Sequence, residues 1–448
     1  MTGASTATNG AASGGERGID GQRARYQWAL LLICLLLPAC ATRVPAGDLL
    51  SSGFGSPATA VRIEGERGPL RAAQAAAALR RLDGEEGRAA DEEALLVRHL
   101  AQIESLMNAP ISVGNDAHLL IDGPQTQQAM LEAIALARHH IDLETYILEL
   151  NGMGERLASL LETKRSQGAR VRVLYDSVGS LATPKTYFDR LTSVGIAVCE
   201  FNPLNPLHVA EDSKLGINNR DHRKVLIVDQ HIAFTGGINI SAVYSSASFG
   251  RRHKVQSSLE AGWRDTHVAV RGPVVDQFQK LFDETWSSQR CTNQADTREA
   301  TPSAAKRAGH MAMRLVAADP ANERSELYLA LLSAINNAHR RVWLTYGYFV
   351  PDDRLMEVLR EAAQRGVDVR LVLPGFSDSW PPFHAGRSRY GDLLNAGVRI
   401  FERRDALLHA KTAVIDGIWS SIGSTNLDWR SFVHNYEADL VVLDNRFA

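Results

Sequence analysis

One pattern occurs twice in this chain: His-x-Lys, four residues, Asp, six residues, Gly-x-x-Asn. The first copy is His222, Lys224, Asp229, Gly236 and Asn239; the second, 187 positions later, is His409, Lys411, Asp416, Gly423 and Asn426. A single His, Lys and Asp at these gaps can arise by chance in 448 residues, but repetition of every element with the same gaps requires a duplicated structural unit. Two units that supply the same reactive side chains imply one shared active site.

The alternation within each copy gives the local geometry. Residues two apart on a strand share a face, so His222 points with Lys224 and His409 with Lys411. The apolar runs Val225 to Val228 and Thr412 to Ile415 read as sheet covered on both sides, a stiff platform for each pair. Asp229 and Asp416 open tight turns, most plainly at Asp416-Gly417, and a second strand returns to Gly236-Gly237 or Gly423-Ser424, where a ligand can approach the backbone closely. Two imidazoles and two ammonium groups at close quarters suit a phosphodiester. Lysine neutralises the non-bridging oxygens, one histidine attacks phosphorus, and the other protonates the departing alkoxide, with no call for a metal or other cofactor. A hydrogen-bonded core histidine would be the plainer reading of either His alone; duplication of the whole set argues against it.

The stretches RDHRKVLIVDQHIAFTGGINI and LLHAKTAVIDGIWSSIGSTNLDWRSFVHNYEADLVV, with LETYILE at 143–149, LTYGYFVPD at 344–352 and AAQRGVDVRLVLPG at 362–375, resemble the phospholipase D superfamily and, within it, the bacterial cardiolipin synthases. The resemblance covers roughly residues 110–448. It implies two similar α/β halves with the active site at their junction, a phosphohistidine intermediate, and a catalytic set of His222, Lys224, Asp229, His409, Lys411 and Asp416. The first-repeat histidine is usually the family's nucleophile, which assigns attack to His222 and leaving-group protonation to His409. The acids that orient family histidines match Asp265 in GWRDTHVAV and Glu437 in HNYEADLVV, with the pairing left open. Asp229 and Asp416 are expected to fix their loops, and Asn239, Ser424 and Asn426 to donate to phosphate oxygens. Gly237 stands where Ser424 does, so the halves are chemically unequal.

The duplication extends upstream of the motifs. Residues 128–200 and 325–402 each read helix, strand, helix, strand, helix, strand, which argues for α/β architecture with a mostly parallel, helix-flanked sheet in each half. Gly168, Gly195, Gly366 and Gly397 fall at expected helix C-caps. The predicted organisation is a signal segment (1–40), a tether with a helix around 91–107 (41–110), a first repeat (111–286), a linker (287–310) and a second repeat (311–448). An amphipathic segment, Pro273 to Trp286, follows the first motif, and no counterpart follows the second before Ala448.

With 45% hydrophobic and 22% charged residues the chain can build two sizeable cores, and its net charge of −2 lacks the basic surplus of a protein whose main substrate is nucleic acid. The cluster Arg251, Arg252, His253, Lys254 reads either as a loop for anionic headgroups or as a solvated one. Near the N-terminus, Arg23 and Arg25 precede a short apolar run, Trp28 to Leu37, and Leu37-Pro38-Ala39-Cys40. This resembles a bacterial lipoprotein signal, which implies lipidation at Cys40 and, with Ala41 following, the outer membrane facing the periplasm; a short uncleaved anchor is the plainer reading. Cys199 and Cys291 remain in the body, where a bridge would need an oxidising compartment. The expected function is a membrane-anchored, monomeric phosphatidyltransferase that makes cardiolipin from phosphatidylglycerol. Hydrolysis of phospholipid by the same site and a nuclease activity are the alternatives.

Overall fold

The predicted alternation of strands and helices is realised twice in a computed structural model, which describes residues 61–83, 90–204, 218–245, 262–291, 306–320 and 325–448. The lipobox at Cys40, the basic loop at Arg251 to Lys254 and most of the predicted linker lie outside the described residues. A hairpin of β1 (Ile63–Gly65) and β2 (Gly68–Pro69) leads to α1 (Ala72–Asp83) and α2 (Ala90–Ile103). The first half then runs β3 (Ile111–Ile121), α3 (Asp122–Leu136), β4 (His140–Thr145), α4 (Gly152–Ser166), β5 (Arg170–Asp176), α5 (Lys185–Ser193) and β6 (Ala197–Phe201). It continues through β7 (Arg220–Asp221), β8 (Lys224–Val228), β9 (Ile232–Gly236), β10 (Trp263–Arg264), β11 (Thr266–Arg271) and α6 (Val275–Ser288). The second half repeats this as β12 (Met311–Ala318), α7 (Glu326–Asn336), β13 (Arg341–Tyr346), α8 (Asp353–Gln364), β14 (Asp368–Pro374), α9 (Trp380–Arg387), α10 (Tyr390–Asn395) and β15 (Arg399–Arg403). It ends in β16 (Leu407–Leu408), β17 (Lys411–Ile415), β18 (Trp419–Gly423), α11 (Trp429–Val433) and β19 (Asn435–Leu443).

Each half forms a seven-stranded sheet of the same order, β3-β11-β9-β8-β4-β5-β6 in the first and β12-β19-β18-β17-β13-β14-β15 in the second. The sheets are mixed and not mostly parallel: only β4-β5-β6 and β13-β14-β15 run parallel. The reason is local. The motif strands return through hairpins whose turn residues, Asp229-Gln230 and Asp416-Gly417, all have positive φ, and so short a connection enforces antiparallel pairing.

Antiparallel pairing of β3 with β12 joins the two sheets edge to edge. An apolar cluster joins Val225, Ile227, Phe278 and Phe282 of the first half with Met313, Leu315, Ile422 and Leu440 of the second, so the halves share a core and hold a fixed geometry. The expected stripe of α6 is seen, with Val275, Phe278 and Phe282 fully buried. Beyond it Arg172 pairs with Asp142 at 2.7 Å and lies over the rings of Phe282 and Trp286. At the corresponding place in the second half Trp343 stands in the position of Asp142. It is 37% exposed and flanked by the guanidinium groups of Arg341 and Arg370, at 5.1 and 5.0 Å from its ring. The segment read as a tether does more than connect. Its β1 pairs with β3, and α2 buries Leu95, Leu96 and Leu100 and brings His99 Nδ1 to 3.1 Å from Ser333 Oγ on α7.

A disulfide links Cys199 in β6 to Cys291 just past α6, closing 92 residues of chain and tying the sheet edge to the helix that covers it. A loop of this length contributes on the order of 4–5 kcal/mol in the chain-entropy account. Cys291→Ser is expected to lower the unfolding free energy by about 2–5 kcal/mol, read as a drop in urea midpoint under non-reducing conditions; an unchanged midpoint would contradict this.

Candidate active site

The two histidines sit where the halves touch. Strand β7 runs parallel to the start of β19 and β10 runs parallel to β16, so each motif opens from a two-residue ladder formed with the opposite half. The histidine backbones are pinned by the same means: His222 N–H donates to the Tyr436 carbonyl at 2.9 Å and His409 N–H to the Arg264 carbonyl at 2.8 Å.

The acid that directly follows each of these carbonyl residues reaches back to the ring. His222 Nδ1 lies 2.9 Å from Glu437 Oε2, and His409 Nδ1 lies 2.7 Å from Asp265 Oδ2. The pairing left open by the sequence is therefore crossed, each imidazole being oriented by the carboxylate of the other half. A carboxylate at Nδ1 accepts the hydrogen bond of the ring N–H and leaves Nε2 as the nitrogen that meets substrate.

The lysines complete the floor. Lys224 Nζ donates to the His222 carbonyl at 2.5 Å and lies 5.2 Å from the Tyr146 ring, while Lys411 Nζ donates to the His409 carbonyl. Burial drives both ammonium groups down, Lys224 to about 7 and Lys411 to about 8, against the pull of Glu437 and Asp265. Burial also lowers His222 to about 4, and burial together with the two lysines holds His409 well below its usual value, so both rings are neutral without substrate.

The two acids differ. Burial raises Asp265 to about 6 despite Lys411. Burial also opposes ionisation of Glu437, but His222, Lys224 and the Ser424 hydroxyl, which donates at 2.6 Å, outweigh it and keep this carboxyl below its usual value.

Several expected roles change. Asp229 and Asp416 lie at the far ends of their five-residue strands, about 16 Å from the lysines. Asp229 accepts from the N–H groups of Arg138, His139 and His140, and Asp416 from those of His339, Arg340 and Arg341, all at 2.7–2.8 Å. They fix loops, as expected, and touch no reacting atom, so they leave the catalytic set. Ser424 spends its hydroxyl on Glu437 and not on phosphate. Asn239 Oδ1 accepts from the Ile147 N–H and its Nδ2 donates to the Tyr244 hydroxyl, which fixes the amide beside the site. Asn426 is buried nearby, its side-chain oxygen without a protein partner. Gly237 cannot carry the serine of the other copy, because a Cβ there would lie 2.3 Å from Asp265 Oδ1.

Sequence reasoning missed the aromatic surround and one arginine. His409 is enclosed by Trp263, Tyr348 and Tyr244, with ring centroids 4.8, 5.9 and 6.0 Å away, and the Tyr244 hydroxyl is 3.2 Å from its Nδ1; His222 meets Tyr146 at 5.1 Å. Buried Arg223, between the first His and Lys, donates to the Thr285 hydroxyl and to the carbonyls of Ala318 and Glu437, bolting the first motif to the second half. Its counterpart is Ala410, and that contrast was the available signal.

For the free enzyme the required state has both carboxylates ionised and both lysines charged. Activity as kcat/KM is expected to fall below pH 6 as Asp265 takes a proton and above pH 7 as Lys224 begins to lose one. A profile flat from pH 5 to 9 would contradict this.

The family described as "Cardiolipin synthase, PLD-like domain" matches residues 130–286 and 331–448. The cardiolipin synthase of Alkalihalophilus pseudofirmus is 33% identical over 332 residues, 74% of this chain and 63% of that protein. Cardiolipin synthase A of Pseudomonas aeruginosa is 34% identical over 363 residues, 80% of this chain and 71% of that protein. The chain thus spans under two thirds of the length of several curated relatives it matches. Among solved structures, a phosphatidylserine synthase from Haemophilus influenzae shares the fold, with a TM-score of 0.52 and 15% identity over 74% of this chain and 82% of that one.

Proposed function

The chain belongs to the cardiolipin synthase branch of the phospholipase D superfamily, and from that membership we propose that it is a phosphatidyltransferase making cardiolipin from two molecules of phosphatidylglycerol. The observation that carries this reading is the crossed pair of His–carboxylate dyads over two buried lysines. With both lysines charged, both carboxylates ionised and both rings neutral, the six side chains sum to zero. A phosphodiester brings one negative charge, and one proton on one ring balances it. The protonated histidine is then the acid and the neutral one the nucleophile.

We assign attack to His222, whose partner Glu437 is the firmer carboxylate and keeps Nε2 electron-rich. His409 takes the proton, since its aromatic surround favours a cation. His222 Nε2 bonds to phosphorus, the bond from phosphorus to the glycerol oxygen breaks, and that oxygen leaves with the proton from His409. In the second half-reaction the hydroxyl of another phosphatidylglycerol gives its proton to His409 as its oxygen bonds to phosphorus, and the His222–phosphorus bond breaks. Water in place of the alcohol would yield phosphatidic acid. Because one chain supplies both dyads, it acts as a monomer in this proposal.

The loops at the carboxyl ends of the parallel strands, where the histidines lie, carry exposed Leu181, Leu204 and Trp380, the last at 71% exposure. Apolar side chains in this position support action at a lipid surface. We further propose lipid attachment at Cys40 and a periplasm-facing site in the bacterial outer membrane; the lipobox sequence and the Cys199–Cys291 bridge, which persists in oxidising compartments, support this.

Phosphatidylglycerol micelles with chelator should yield cardiolipin and glycerol by mass spectrometry, and His222→Ala should lose both the product and covalent labelling by lipid phosphate. Phosphatidic acid alone would establish the hydrolase instead, and no lipid turnover would direct attention to nucleic acid. For the anchor, Cys40→Ser should release the protein from membranes into the soluble fraction; unchanged membrane retention and an unmodified Cys40 peptide in the wild type would overturn that placement.

A further inference from the structure

The two strand ends that face the site are unequal in charge. Four residues beyond the last residue of β5 the first half has Ser180, buried, its hydroxyl donating to the Tyr146 carbonyl and accepting from the Leu148 N–H. Four residues beyond the last residue of β14 the second half has Asp378, exposed, on the loop leading to α9. Its Oδ1 accepts from the Tyr348 hydroxyl at 2.5 Å and from Ser377 Oγ at 3.2 Å. Tyr348 in turn stands edge-on to His409, so the carboxylate is held beside the histidine that handles the alcohol proton. It is near enough to favour the charged forms of both His409 and Lys411.

A carboxylate here opposes the phosphate that the lysines attract, so it serves something other than phosphate binding. We propose that Asp378, held by Tyr348, is the subsite for a hydroxyl-bearing headgroup: it accepts a hydrogen bond from the second hydroxyl of a glycerol-type alcohol while the reacting hydroxyl meets His409. An ammonium headgroup fits less well, since it would meet Lys411 alongside, whereas a hydroxyl donates to a carboxylate at no cost in charge. Among the described residues, the first half has no carboxylate at the equivalent position, where Ser180 is turned inward. The arrangement makes His409's side the alcohol side and gives the phosphohistidine a way to prefer a polyol over water. This inference rests on the transferase reading above.

The test uses the full chain in mixed micelles with phosphatidylglycerol as donor, and compares transfer to isotopically labelled glycerol, read as label entering phosphatidylglycerol, with transfer to ethanol and with hydrolysis. Losing a hydrogen bond to a charged acceptor is expected to reduce the glycerol-to-ethanol transfer ratio on the order of 10- to 100-fold in Asp378→Asn, with hydrolysis rising at the expense of glycerol transfer. Tyr348→Phe, which leaves the carboxylate in place but unheld, should move the same ratio in the same direction by less. An Asp378→Asn ratio equal to wild type, or equal loss of both transfers, overturns the proposal. Wild-type protein that only hydrolyses overturns the transferase reading as well, and is told apart because it appears without any substitution.

Discussion

Everything in the site depends on an exchange of carboxylates between the two halves. An imidazole alone in a buried site has two interchangeable nitrogens and a free ring torsion; a carboxylate at Nδ1 removes both freedoms. Here each half supplies the acid for the other's histidine, so neither half holds a prepared histidine by itself. The short ladders β7–β19 and β10–β16 enforce the exchange, since they bring the acid-bearing strand alongside the motif before any side chain is placed. The shared apolar cluster and the β3–β12 pairing then make the junction as rigid as either interior.

Upon that near-symmetric frame the chain builds chemical differences. The first motif strand is entered through Arg220, Asp221 and Arg223, in a buried ionic network, and the second through Leu407, Leu408 and Ala410. Breaking one partner of such a buried network costs about 3–5 kcal/mol, so the first motif is anchored by charge where the second is anchored by packing. Ser424 firms Glu437, whereas Gly237 yields its space to Asp265. Two dyads of like geometry are thereby given unlike affinities for a proton, which is what an acid and a nucleophile working in one step require.

Much of this was legible in the sequence because its signals are local. The duplicated spacing locates His222, Lys224, His409 and Lys411, and Asp416-Gly417 announces its turn. The glycines at 168, 195, 366 and 397 all take positive φ at helix ends. What escaped is decided by distance across the fold. Asp265 and Glu437 could be nominated but not paired, because each lies 144 or 215 residues from its histidine. The hydroxyl of Ser424 looks free in sequence and is taken by Glu437, which only tertiary packing brings near. Strand direction was misjudged for the same reason: alternation with helices reports the three parallel strands well and is silent on the four that zip up antiparallel beside them.

The crossing has a consequence in time. The carboxylate that orients His222 is encoded 215 residues after it, on β19. At ordinary rates of synthesis that is an interval on the order of tens of seconds, during which the first half has its own apolar core but no oriented histidine. A nascent chain therefore carries His222 through nearly half of its production without being able to use it, and competence arrives with the strand that also closes the second sheet.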